Sequence, residues 1–313
     1  MAEFDVLVLG EINVDLILSA DEITPVFGQE LLVDDMTLAM GSSSVIFACG
    51  AARLGLRVGF VGVVGDDEFG HFMLRQMAAR GVDVSPVIVD PAVKTGITVS
   101  LSTAADRALL TYPGSIEALT AERVDRSLLS HARHVHVGSY FLQQGLRTGL
   151  PALFAKARAH GLTVSLDTGF DPRQTWDGGL REVLANIDVF LPNEIEAPAI
   201  AGAPSPETAL DALAACVPTV VVKLGAKGAI ARRGSEVCRA TPPLVKAVDT
   251  TGAGDSFDAG FVYGYLAGWS LQRTLRLACA CGALTTRQPG GTEGQPTLTE
   301  AMAALGEDLQ HIT

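Results

Sequence analysis

The run Asp249-Thr250-Thr251-Gly252-Ala253-Gly254-Asp255-Ser256-Phe257-Asp258-Ala259-Gly260-Phe261 holds the residues best suited to chemistry. A Gly-Ala-Gly turn leads directly into an apolar stretch with helical spacing. Small side chains leave successive backbone N–H groups uncovered, and a helix start adds its own free N–H groups and the positive end of its dipole. Such a nest binds an anion without a cationic side chain. Asp255 falls in the first turn. It is either a helix-start carboxylate stabilised by the dipole or, beside a bound phosphate, a general base. Two common phosphate motifs fail on the letters. Phe257 stands at the third glycine position of G-x-G-x-x-G, and none of Lys94, Lys156, Lys223, Lys227 and Lys246 follows a glycine, as a Walker A loop requires.

Holding that loop in place requires a frame, and the hydropathy pattern supplies one. Asp5–Gly10, Val58–Val64, His134–Gly138, Leu162–Asp167, Ile187–Leu191 and Thr219–Leu224 read as buried strands. Ser43–Leu54, the stretch carrying Phe69, Phe72, Met73 and Met77, Pro151–His160, Ala253–Ala267, Leu271–Thr286 and Leu298–Leu309 read as helices, with Gly55, Gly81 and Gly161 as stops. The alternation predicts an α/β fold with a mostly parallel sheet covered on both faces. Glu11–Met40 and Lys94–Tyr112 break the rhythm. The second reads as two strands joined by Ala104-Ala105-Asp106. Together they predict a small β-sheet outside the core, as two surface excursions or as a lid.

Composition bounds the partners. The 313 residues carry 23 Lys+Arg against 35 Asp+Glu, a net charge of −12, and 48% are hydrophobic. That apolar content excludes a disordered chain. The acidity disfavours nucleic acid and anionic membranes as partners. The length exceeds the usual limit of ~250–300 residues for one core, so an appendage or a second domain is expected. Cys49, Cys216, Cys238, Cys279 and Cys281 are odd in number and scattered, and read as small core residues in a reducing compartment. The acidic start and the lack of a long apolar run predict a cytoplasmic protein.

Asp249–Phe261 closely resembles the C-terminal signature of the ribokinase-like (phosphofructokinase B) family of carbohydrate and nucleoside kinases. The resemblance extends over nearly the whole chain. Gly41–Gly55 is similar to the family's glycine-rich substrate segment, and Val61–Gly70 to its N-terminal signature V-G-x-x-G-x-D-x-x-G. Asn193-Glu194-Ile195-Glu196 fits its N-x-x-E, and Val222–Gly228 resembles its nucleotide-binding strand and turn. The resemblance implies a three-layer α/β/α core, formed by residues 1–11, 41–93 and 113–313, and a small β lid from 12–40 and 94–112. It implies ATP and an alcohol-bearing substrate. Asp255 would take the hydroxyl proton, while the N–H groups of Gly252, Ala253, Gly254 and Asp255 hold the transferred phosphoryl. Asn193 and Glu196 would order Mg²⁺ through its waters, or else form a helix cap and capping-box pair. Lys223, Gly225, Lys227 and Gly228 would border the nucleotide, although the glycines also suit a plain β-turn. Gln288, within Ala283–Thr292, would join the second wall of the adenine pocket. Carbonyls there and around Asp249 and Thr251 could bind K⁺.

For the substrate, the resemblance implies that Asp15, with Asn13, accepts hydroxyl groups and that Gly41 and Ser42 approach a sugar closely. Thr98 and Ser100 alternate, so both face one side of the lid. Two positions depart from the family. Gly41-Ser42 replaces Gly-Gly, and Ile46 stands where many sugar kinases carry a substrate-binding Asn. Ribokinase itself is therefore disfavoured. The apolar Ile46 and Phe47 keep a nucleoside kinase open as the alternative, and a non-catalytic ligand sensor is a third reading. Arg173 would pair with Asp171 rather than hold a substrate anion. His134 and His136 share a strand face but lack a third ligand, so they read as core residues. The lid's outer face could pair with a second copy in a homodimer.

Overall fold

The computed structural model describes residues 2–103 and 106–307. In chain order the strands are β1 (Phe4–Leu9), β2 (Asn13–Ser19), β3 (Asp35–Met40), β4 (Val58–Val61), β5 (Val63–Gly65), β6 (Val82–Asp83), β7 (Ile88–Asp90), β8 (Gly96–Ser102), β9 (Arg107–Tyr112), β10 (Ala132–Val137), β11 (Thr163–Leu166), β12 (Val189–Phe190), β13 (Thr219–Lys223), β14 (Ala229–Arg233) and β15 (Glu236–Ala240). The helices are α1 (Ser43–Arg53), α2 (Glu68–Ala79), α3 (Gln144–Arg147), α4 (Leu150–Ala159), α5 (Leu180–Leu184), α6 (Glu196–Ala201), α7 (Pro206–Leu213), α8 (Ala253–Leu266), α9 (Leu271–Thr285) and α10 (Leu298–Ala304).

Nine strands form one sheet in the order β15-β14-β13-β12-β11-β10-β1-β4-β6. From β6 to β13 every neighbouring pair is parallel; β14 and β15 complete the edge antiparallel. Side-chain alternation along β1 explains the layering. Leu7 and Leu9 enter one core with Leu153, Phe154 and Leu210 of α4 and α7. Val6 and Val8 enter another with Phe47, Ala48, Ala259 and Leu277 of α1, α8 and α9. A strand buried on both faces must be apolar on both, as β1 is from Val6 to Leu9. Chain order reverses at β1, which lies between β10 and β4, and ligands favour the strand ends at such a switch point.

A second sheet, β3-β2-β8-β9, lies within the two stretches that lacked helical rhythm. Cross-strand register aligns Asp15 with Ala39 and Thr98, and Thr98 with Thr111. This face also carries Ser19, Asp35, Thr37, Ser100, Ser102 and Arg107, and it lines a cleft of about 960 Å³ against the core loops 248–251 and 289–293. The intervening residues Leu16, Leu18, Val99 and Leu101 belong to the opposite face with Met36, Leu38, Leu110 and Tyr112, of which the last four are exposed.

Several boundaries differ from the sequence reading. The single strand expected over Val58–Val64 is two, because Gly62 lets the chain pass within van der Waals reach of the Gly10 carbonyl and Ile12. The β14–β15 hairpin was not anticipated, although the two-residue Gly234-Ser235 link was its signal. α10 ends at Ala304, before Gly306 at φ 71°. Residues 308–313 and the hairpin residues 104–105 lie outside the described residues. Four cysteines are buried as expected, but Cys216 is exposed. Among the described residues no helix is long and apolar enough to cross a membrane.

Candidate active site

The anion nest forms as its residue types dictate. Gly252 has φ 71°, and a Cβ there would lie 2.7 Å from the Gly291 Cα. Only glycine meets both demands. Asp249 holds the loop: its carboxylate accepts from the Thr251 N–H (2.9 Å) and hydroxyl (2.7 Å) and from the Gly290 N–H (2.8 Å). These bonds join the loop before α8 to the loop after α9, where Gln288 is exposed. The Ala253 N–H reaches back 3.3 Å to the Thr250 carbonyl, so Gly254 and Asp255 are the better first-turn donors for an incoming anion.

Asp255 is half-buried at the start of α8. Burial and the nearby Asp167 push its carboxyl up to about 8, against the opposing pull of Lys223 and a hydrogen bond from Ser43. A carboxyl in that range can accept a proton near neutral pH. Ser43 opens α1, and its neighbour Ser42 caps that helix. Ser42 Oγ donates to the Glu11 carbonyl (2.6 Å) and accepts from the Val45 N–H (3.1 Å). Ser42 does so at φ 73°, which a β-carbon normally avoids.

The sugar-side residues Asn13, Asp15 and Thr98 are bonded or close to one another. Asn13 Nδ2 donates to Asp15 Oδ1 (3.1 Å) and faces Thr98 Oγ1 (3.5 Å), which contacts Thr111 Oγ1 (3.1 Å). A β-carbon on Gly41 would overlap both Asn13 and Asp15, so this glycine makes room for them. Burial pushes the Asp15 carboxyl up to about 6, with Arg107 and Asn13 opposing. Ser100 bonds to Ser102 at 2.9 Å, one step further from Asp15. Ile46 packs against Gly252 and Gly291 beneath the nest. Phe47 does not line the cleft; its ring stacks on buried His136 at 3.6 Å between centroids. This removes one of the two apolar side chains that would have favoured a nucleobase.

The nucleotide-side expectations divide. Lys223 was expected to border ATP, but its ammonium bonds Asp167 (2.7 Å) and Asp258 (3.0 and 3.2 Å). The pairing keeps Asp167 down near 2, although burial opposes it, while Asp258 is held well above the carboxylate range by burial. Lys227 is 80% exposed and lies 3.7 Å from Glu194. Gly225 and Gly228 shape a turn at φ 56° and 91°. Asn193 and Glu196 make the full cap: Asn193 Oδ1 accepts from the N–H of Ile195 (2.8 Å) and Glu196 (2.9 Å), while Glu196 accepts from Asn193 Nδ2 (2.7 Å) and N–H (2.9 Å). Glu196 is nonetheless pushed up to about 7 by burial and by Asp167. Asn193 Oδ1 and the Glu196 carboxylate put hard oxygen atoms at this turn. These hard oxygen atoms suit Mg²⁺.

The defining pattern of the pfkB family carbohydrate kinases matches residues 3–298. The chain belongs to that family. An ATP-dependent ribose-1-phosphate kinase of Halopiger xanaduensis is 33% identical over 308 residues, covering 96% of this chain and 98% of the relative. A 2-dehydro-3-deoxygluconokinase of Bacillus subtilis is 32% identical, covering 83% and 84%. A candidate ribokinase II from E. coli, solved with ATP and Mg²⁺, superposes with a TM-score of 0.85 at 27% identity, covering 97% and 99%. The fold is ribokinase-like throughout, and the pfkB signatures acquire physical roles. In Val61–Gly70, Asp67 caps α2 through the Gly70 N–H (2.8 Å) and accepts from the Thr95 N–H (2.8 Å) and hydroxyl (2.7 Å), tying α2 to the chain that enters β8.

Four residues in this site were not singled out from sequence. Ser43 bonds Asp255. Glu11 accepts from the Ser44 N–H and hydroxyl. Asp258 holds Lys223, and Arg107 reaches Thr251. Asp258 carried a signal, since it lies three residues from Asp255 and shares its helix face. Arg107 carried none, because its partner is 144 positions away. Asp171 was expected to pair with Arg173; instead its carboxylate accepts from the backbone N–H groups of Arg173, Thr175 and Trp176. His134 and His136 bond Thr163 and Ser165, as core residues do.

Proposed function

We propose that this protein transfers the γ-phosphoryl group of ATP to a hydroxyl, such as a hydroxymethyl, of a small carbohydrate. The observation that carries this reading is the short segment Gly41–Ser43. A β-carbon on Gly41 would overlap Asp15, and Ser43 lies near Asp255, so this one backbone segment passes both carboxylates. Asp15 and Asn13, with Thr98 and Ser100, hold the sugar hydroxyls. Asp255 accepts the proton of the attacking hydroxyl. The oxygen of that hydroxyl forms the new bond to phosphorus as the bond to the ADP oxygen breaks, and the N–H groups of Gly254 and Asp255, with Gly252 and Ala253, hold the developing charge.

Mg²⁺, held at Asn193 and Glu196, would supply positive charge to the ATP phosphates. The adenosine lies between the 225–228 turn, with Lys227, and the 286–292 loop with Gln288. Carbonyls around Asp249 and Thr251 are the candidate K⁺ ligands. The small sheet acts as a lid that excludes water from the transfer, and its apolar outer face pairs with a second copy of the chain.

A panel of sugars, sugar acids and sugar phosphates is assayed for ADP release with Mg·ATP, nucleosides being included. ADP release with a sugar, lost in Asp255→Asn, supports the proposal. Release with nucleosides alone would move the assignment to a nucleoside kinase, and ligand binding without release to a sensor.

A further inference from the structure

Lys223, Asp167 and Asp258 form a buried cluster that the transfer chemistry above leaves unused. Lys223 ends β13, Asp167 follows β11, and Asp258 lies about one helical turn beyond Asp255 on α8. The Lys223 side chain is 12% exposed and that of Asp258 1%. The ammonium has three donors, and both carboxylates claim them. A β-carbon added to Gly254 would lie 3.7 Å from Lys223 Nζ. The charge therefore sits beside the nest, with its donors directed away from the cleft.

Two consequences follow from that placement. A buried ammonium persists only when paired, and here the pair is complete. A fixed charge in such a setting acts on a neighbouring anion more strongly than the same charge in water. The two carboxylates also come from different elements, so one ammonium ties α8 to β11 and β13.

We infer that Lys223, held by Asp167 and Asp258, is a positioning residue for phosphoryl transfer. It fixes the start of α8 against the sheet and places a permanent positive charge beside Gly254 without binding the nucleotide itself. This rests on reading Gly252–Asp255 as the phosphoryl site.

The test uses the full-length protein, Mg·ATP and the sugar giving most ADP release in the panel. Lys223→Met is expected to lower kcat about 10²–10³-fold, as loss of a preorganised charge does. The sugar KM and the Kd of ADP should stay within about threefold, the mark of an interaction made in the transition state. Lys223→Ala should regain about tenfold in kcat with added propylamine, and nothing with tetramethylammonium at equal ionic strength, because only the amine can donate hydrogen bonds. An unchanged kcat in Lys223→Met, or a loss confined to ADP affinity, overturns the inference. Should Lys223→Met fail to fold, Asp258→Asn carries the test: a kcat lowered about tenfold at unchanged ADP affinity supports it, and wild-type kcat overturns it. Asp255→Asn is measured alongside. If that variant keeps its activity, the kinase reading itself falls, independently of what Lys223 does.

Discussion

Arg107 Nη1 donates to Thr251 Oγ1 at 2.8 Å, so a strand of the small sheet is bonded to the loop that opens α8. The same hydroxyl donates to Asp249, whose other oxygen holds the Gly290 N–H. The small sheet, the loop before α8 and the loop after α9 are thereby one hydrogen-bonded chain. Arg107→Ala should lower kcat/KM about tenfold, the effect of losing a charge-assisted bond. Amide exchange should also speed up in β9 and in residues 248–252. Steady-state kinetics and exchange mass spectrometry check both; unchanged exchange in the 248–252 loop would refute the coupling.

Asp255→Asn should cost about 10²–10⁴-fold in kcat, the usual contribution of a general base. It should also stabilise the fold at alkaline pH. The native carboxyl titrates at about 8, far above its unfolded value of 3.8, so the folded state binds this proton more tightly. Stability from this group is complete at acid pH and is lost as pH rises towards 8. The Asn variant has no such loss. Thermal unfolding at pH 8.5 should show a Tm at least about 2 °C above wild type, with the gap narrowing as pH falls and closing only near the unfolded value of 3.8.

Asp15 binds hydroxyl groups best as a carboxylate, which accepts at both oxygens. Its carboxyl titrates at about 6 because it is buried. The sugar KM should therefore rise as pH falls below about 6 while the ADP affinity is steady. In Asp15→Asn the KM should be high and flat across the same range. A wild-type KM that does not change between pH 5 and 7 would exclude Asp15 as the acceptor.

The exposed apolar face carrying Met36, Leu38, Leu110 and Tyr112 is expected to be covered in solution. Sedimentation should give a dimer for the wild type and a monomer for the double substitution Met36→Glu, Leu110→Glu. A monomeric wild type at micromolar concentration rules out this use of the face.

Strand and helix positions near the nest were legible because each obeys a local rule. The Gly252-Ala253-Gly254 turn, the apolar run of α8 and the two-sided burial of β1 are written in neighbouring letters. The alternation that sets Thr98 and Ser100 on one face was equally plain, and the register bears it out. The partners of Lys223 were hidden for a different reason. A lysine beside a glycine turn looks available to a phosphate, and only the fold reveals that Asp167 and Asp258 claim it. Likewise Ile46 and Phe47 are adjacent apolar letters, yet one packs under the nest and the other stacks on His136.

Because polar and apolar residues alternate along β8, the small sheet cannot tolerate an inserted or deleted residue within that strand. A shift by one position would carry Val99 and Leu101 into the cleft and turn Ser100 outwards. New substrate preferences can thus arise here by exchange at every second position, or by length changes in the connecting loops such as 20–34, but not by sliding the strands. Residues 17, 19, 35, 37, 100 and 102 form the short set of positions at which a redesigned library would change what the cleft accepts while leaving its frame untouched.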